Sequence, residues 1–192
     1  HLQTWLIEQV AAHLNKKGKT IIGWDEILEG GIPADAIIQS WRGMQGGIDA
    51  ANKNHGVIMS PTSHCYFDYG LDGIDTKKVY EFEPIPVELN SQQHKFILGA
   101  ECNMWTERAP QETVHSKILP RMLALSEVLW THSNQRDYDA FEKRVKMHFK
   151  RMDKHDIKYG FISTPLQFDS KLEKGELLVE LKKNGTDISL EY

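Results

Sequence analysis

Cysteine is scarce in this chain: 192 residues hold two, Cys65 and Cys102. That is too few for a disulfide framework, and neither lies in metal-ligand spacing. The two stand near the ends of predicted strands where they would be neighbours, which leaves a pair or two buried free thiols as the readings, the second in line with how often cysteine is simply buried. The nine histidines are dispersed and form no HxxxH pair, so a metal centre has little support. Neither GxGxxG nor GxxxxGK[ST] occurs, which removes the usual phosphate cradles. No apolar run approaches the roughly 18 to 20 residues that span a bilayer. The opening HLQTWLIEQVAAHL has helical period rather than the basic-then-apolar pattern of a signal peptide. Twenty-three Lys and Arg against 27 Asp and Glu give a net charge of −4 with no basic stripe, so neither nucleic acid nor a membrane is expected as a partner.

What is present is a globular composition, 40% hydrophobic and 26% charged. Four short apolar runs end in an aromatic, an acid or both: TIIGWDEILEGG (20–31), AIIQSWRG (36–43), GVIMSPTSHCYFDYG (56–70) and FILGAECNMWTE (96–107). Continuous apolar runs of β-branched residues suit strands buried on both faces. Strands are therefore expected near 20–24, 36–41, 56–61 and 96–102, separated by a helix at 44–54 and a long irregular stretch from 68 to 93 with a helical patch at 76–81. Leu2, Leu6, Ile7, Val10 and Leu14 predict a helix over 1–17. A long helix is expected over 111–131, with Ile118, Met122, Leu125, Leu129 and Trp130 on one side and Pro120 as a possible kink. A second, at 137–155, turns Phe141, Val145, His148 and Met152 to one face. Beyond Gly160 the period changes to two: LLVEL and DISLEY alternate like antiparallel strands.

Alternating strands and helices predict parallel βαβ units. Long loops at the carboxyl ends of the strands fit half of a (β/α)8 barrel, whose chemistry sits at that face. Trp24, Trp41, Tyr66 and Trp105 fall at corresponding strand ends, with Asp25, Glu26, Asp68 and Glu107 in the same layer. Flat aromatic faces beside a few fixed acids suit a pyranose, whose C–H face stacks while its hydroxyls bond carboxylates.

GWDE, QSWRG, HCYFDYG, ECNMWTE and PRMLALSEVLWT together resemble the second half of the catalytic barrel of glycoside hydrolase family 20, the β-N-acetylhexosaminidases. The likeness covers about residues 1–157. It implies an α/β fold, the carboxyl-terminal half of a TIM (β/α)8 barrel; the change of period beyond it reads residues 158–192 as a linker and the start of a small β-type element. It also implies no cofactor, a glycan substrate with a terminal N-acetylhexosamine, the amino-terminal half of the same barrel as partner, and a secreted, periplasmic or lysosome-like location. In that family the substrate's own acetamido oxygen attacks the anomeric carbon, with net retention. On this chain Trp24 and Trp41 would wall the acetamido pocket, Tyr66 would bond and orient the acetamido oxygen, and Trp105 would floor the sugar. Asp68 and Glu107 would hold the outer hydroxyls.

Two departures stand out. The family's Asp-Glu acid pair follows a His-x-Gly-Gly motif, and no such motif occurs here, so the general acid would lie outside this chain. The loop after Tyr66 reads YGLDGIDTKK and lacks the family's frequent third pocket tryptophan. Two rival readings stay open: a non-catalytic carbohydrate-binding module, and another (β/α)8 glycosidase using Asp25 or Glu26 with Glu107.

Overall fold

The structure, a computed structural model, describes residues 2–184. Helix α1 (Leu2–Asn15) leads into strand β1 (Ile22–Trp24), which gives way at once to a 3-10 turn over Asp25–Glu29. Then come β2 (Ile37–Ser40), α2 (Gln45–Asn52), β3 (Val57–Met59), α3 (Thr76–Tyr80) and β4 (Ile97–Ala100). The four strands form one sheet in chain order, and each neighbouring pair is parallel: Ile22 lies beside Ile37, Ile38 beside Val57 and Val57 beside Ile97. The expected parallel run is present. The described residues do not close it into a barrel, and β1 and β4 are its edges.

Alternation decides which face is covered. Ile38, Ser40, Val57 and Met59 point to the helix side and are fully buried. Helix α2 reaches that face because it carries glycine at the contact: a Cβ on Gly47 would stand 2.5 Å from the Met59 sulfur. Across the sheet, Ile22 and Leu98 are 52% and 58% exposed. Apolar side chains also stand in the open on two helices: Leu2, Trp5 and Leu6 of α1, and Trp130 at the end of the helix Arg121–Trp130.

The helix expected over 111–131 is in fact two. A 3-10 turn (Gln111–Thr113) opens α4 (Val114–Ile118), and a separate α5 (Arg121–Trp130) begins after Pro120. Pro120 offers no N–H to continue the ladder, and Leu119 before it is extended, at φ −98° and ψ 132°. The face of α5 also differs from expectation. Ala124, Leu125 and Val128 are buried, while Met122 is 41% and Trp130 91% exposed. The expected α6 (Tyr138–Lys154) is present, capped by Asp137, whose carboxylate accepts from the Ala140 N–H at 3.0 Å, and it buries Phe141 and Val145.

The stretch from 68 to 93 is irregular but well anchored. Asp75 caps α3, and Ile74, Val79, Tyr80, Phe82 and Leu89 join the core. Finally β5 (Leu166–Glu173) and β6 (Glu176–Lys183) form an antiparallel ribbon by themselves, every residue of it exposed. LLVEL falls in β6 as its alternation predicts. DISLEY lies outside the described residues.

Candidate active site

All four strand-end aromatics gather at the carboxyl end of the sheet. Trp24, the last residue of β1, has its ring 6.1 Å from that of Trp105. Trp41, directly after β2, lies 6.2 Å from Tyr66, which in turn lies 5.7 Å from Tyr69. Tyr66 is brought there because the β3–β4 pairing resumes beyond the strands: the Asn103 N–H donates to the Cys65 carbonyl at 2.7 Å and the Phe67 N–H to the Asn103 carbonyl at 2.8 Å. Burial pushes the Tyr66 phenol up to about 12, against a smaller downward pull from the Trp105 indole N–H. At neutral pH it is a hydrogen-bond donor.

Asp68 is buried, at 3% exposure, and its Oδ1 has no partner among the described residues. A buried carboxylate oxygen left unpaired costs free energy unless something later binds it. The loop that carries it is held from below by α4 and α5. Lys117 donates from Nζ to the Asp68 carbonyl at 2.6 Å. The guanidinium of Arg121 is 1% exposed and donates to the carbonyls of Phe67, Tyr69 and Ile74, with its plane over the Phe67 ring at 4.8 Å. Burial lowers Arg121 to about 10. Glu107 is exposed and no contact ties it to the aromatics among the described residues; its neighbour Arg108 lays its guanidinium over the Tyr69 ring at 4.9 Å.

The tandem acids Asp25 and Glu26 both reach across to the end of the next strand. Asp25, 1% exposed, accepts from the backbone N–H of Trp41 at 3.0 Å, that of Arg42 at 3.2 Å and Arg42 Nε at 2.5 Å. Both Glu26 oxygens lie 3.0 Å from the Trp41 indole nitrogen. Both carboxylates thus hold the neighbouring strand end, Asp25 through the main chain of Trp41 and Arg42 and Glu26 through the Trp41 indole. Cys65 and Cys102 are both free thiols, and burial pushes each up.

The sequence did not point to Arg121, to Lys117 or to the polar layer beneath the aromatics. In that layer Gln39 donates to Glu101, Ser60 Oγ donates to the Glu101 carbonyl at 3.3 Å, and Asn103 donates to Ser60 Oγ at 2.6 Å. One signal was available for the layer: Gln39, Ser60 and Glu101 are the polar residues that interrupt or end the apolar runs.

Four parallel strands followed by paired aromatics, with a buried acid two residues beyond Tyr66, make an α/β domain whose chemistry-bearing side chains stand at the carboxyl end of its sheet. The model of the glycosyl hydrolase family 20 catalytic domain matches residues 1–133, and the chain belongs to that family. It is 40% identical over 172 residues to a β-hexosaminidase of Porphyromonas gingivalis, covering 82% of this chain and 22% of that one. Among solved structures it superposes on a chitobiase from Flavobacterium johnsoniae with TM-score 0.72 and 33% identity, over 81% of this chain and 24% of the other. It also superposes on an exo-β-N-acetylglucosaminidase from Vibrio harveyi in complex with N-acetylglucosamine, with TM-score 0.75 and 25% identity, over 85% and 28% of the two chains. The fold is thus of the α/β, TIM-barrel type, and the chain spans about a quarter of the length of these relatives.

Proposed function

We propose that this chain is the carboxyl-terminal half of the catalytic barrel of a retaining exo-β-N-acetylhexosaminidase that releases terminal N-acetylglucosamine or N-acetylgalactosamine with the help of the substrate's own acetamido group. The observation that carries the reading is the gathering of Trp24, Trp41, Tyr66 and Trp105 at the carboxyl end of the sheet, with buried Asp68, one of its oxygens unpaired, two residues beyond Tyr66. Two further features support it. The bare sheet face at Ile22 and Leu98 and the exposed Trp5 and Trp130 are apolar surfaces that an amino-terminal half-barrel would cover. The Porphyromonas gingivalis β-hexosaminidase is more than four times as long as the stretch that matches, which is 22% of it.

In this reading the sugar ring stacks on Trp105 while Asp68 and Glu107 accept from its outer hydroxyls. Trp24 and Trp41 confine the acetamido group. Tyr66 donates to the acetamido oxygen and holds it in line with the anomeric carbon, which is proximity catalysis. As the C1–O bond breaks, that oxygen forms the new bond to C1 and the amide takes on positive charge. Water then attacks C1 from the opposite face, breaking the bond from C1 to the acetamido oxygen and passing its proton to the conjugate base of the general acid, so the β configuration is retained. The proton for the leaving oxygen comes from a general acid, a Glu with an Asp partner, on the amino-terminal half. Glycan is the partner in this account, and export to where glycans are degraded is the location it fits.

The test is a comparison of the full-length protein with residues 1–192 alone on an aryl N-acetyl-β-glucosaminide. General acid catalysis contributes about 10² to 10⁴-fold, so the full-length protein is expected to turn the substrate over with a β-configured first product and the isolated stretch to show no useful turnover. Comparable rates from both would sink the half-barrel reading.

A further inference from the structure

We propose that Glu26 is a positioning residue that sets the acyl-group specificity of the pocket by fixing the ring of Trp41; the proposal rests on the reading just given, in which Trp41 walls the acetamido site. Glu26 is half-buried, and among the described residues it has no cation within ion-pair distance. Its one hydrogen-bond partner among the described residues is the indole N–H of Trp41, with both carboxylate oxygens 3.0 Å from that nitrogen. A bond from a neutral donor to a carboxylate is about twice as strong as one between neutral groups. The neighbouring acid completes the clamp: Asp25 Oδ2 holds the backbone N–H of the same tryptophan at 3.0 Å. Consecutive residues of one short turn thus grip Trp41 at both ends, one at its main chain and one at the far edge of its side chain.

A tryptophan held only at its Cα is free to swing about χ1 and χ2. Held also at Nε1, its ring keeps one tilt, here 32° from the plane of Tyr66 with the ring centroids 6.2 Å apart. That tilt determines how much room lies between Trp41 and the Tyr66 hydroxyl. A wall that cannot swing outward admits an acetyl group and resists a longer acyl chain. Without the Glu26 carboxylate the ring is free to yield, so the longer group is penalised less.

The experiment uses the full-length protein and two aryl β-glucosaminides that differ only in carrying N-acetyl or N-propionyl. One methylene is worth about 10 to 200-fold in a well-formed apolar pocket. The parent protein is expected to prefer N-acetyl within that range. Glu26→Leu, which keeps the bulk and removes the acceptor, is expected to cut the preference about tenfold, chiefly through kcat on the acetyl substrate. Glu26→Gln keeps an acceptor oxygen and is expected to restore most of it. In a Trp41→Phe background, which has no N–H to hold, Glu26→Leu is expected to change the preference no further. A preference unchanged in Glu26→Leu, or lowered as much in the Trp41→Phe background as in the parent, overturns the assignment of Glu26 and leaves the function standing. A parent that turns over neither glycoside overturns the function and this assignment with it. Should Glu26→Leu fail to fold, Trp41→Phe removes the same bond from the donor's side, and its unchanged acyl preference would overturn the assignment.

Discussion

The sheet β1–β4 and the ribbon β5–β6 are both made of short strands with alternating side chains, yet they teach opposite things about what a strand pattern is for. In the sheet, strands of three or four residues carry fully buried Ile38, Val57 and Met59 on one face and end in aromatics and acids. In the ribbon, strands of eight residues pair over their whole length, Phe168 with Leu181 and Leu172 with Leu177. One face collects Leu166, Phe168, Leu172, Leu177, Val179 and Leu181, and all are exposed. Pairing is better in the ribbon, and burial is better in the sheet. Since a two-stranded ribbon is marginal by itself while buried apolar area is the main stabilising term, the sheet is the part that can hold reactive side chains in place.

That contrast can be broken or sharpened in the full-length protein, and the largest effect is expected beneath the site. Arg121 saturates three carbonyls of the Phe67–Ile74 loop with its guanidinium. Arg121→Leu leaves these buried acceptors unpaired at about 1 to 3 kcal/mol each, so a loss of several kcal/mol in denaturant unfolding is expected, with substrate binding lost alongside. A cost under 1 kcal/mol would mean that the loop does not depend on α5. Next comes Ile38→Ala on the covered face, expected to cost about 2 to 5 kcal/mol as a core truncation. The same truncation in the ribbon, Phe168→Ala, is expected to cost no more than about 0.5 kcal/mol and to leave kcat alone. A cost near that of Ile38→Ala would show the ribbon's apolar face to be covered in the intact protein.

The sheet was legible because a continuous apolar run closed by Trp or Tyr is a local signal. The strand order and the meeting of Trp24, Trp41, Tyr66 and Trp105 followed from parallel topology. What the sequence concealed depended on partners distant along the chain. Nothing near Arg121 announces that it will sit beneath residues 67–74, 47 to 54 positions away. Asp25 and Glu26 looked like a tandem acid pair, and only their contacts with Trp41 and Arg42 reveal a clamp. The break at Pro120 was half visible, as a kink, whereas Trp130 reads as a buried helix residue by period and is exposed by position.

The central claim is that the Tyr66 hydroxyl acts on the reacting acetamido oxygen. Steady-state kinetics of Tyr66→Phe in the full-length protein test it directly, because the ring and its contact with Trp41 remain and only the donor is removed. With its phenol pushed up to about 12 by burial, Tyr66 is a donor throughout the neutral range, so the comparison holds at any working pH near 7. Losing a donor to a charge-developing group costs about 10² to 10³ in rate, and that fall is expected in kcat rather than as a rise in KM alone. A Phe variant with the parent's kcat would contradict the account and leave Tyr66 as pocket wall.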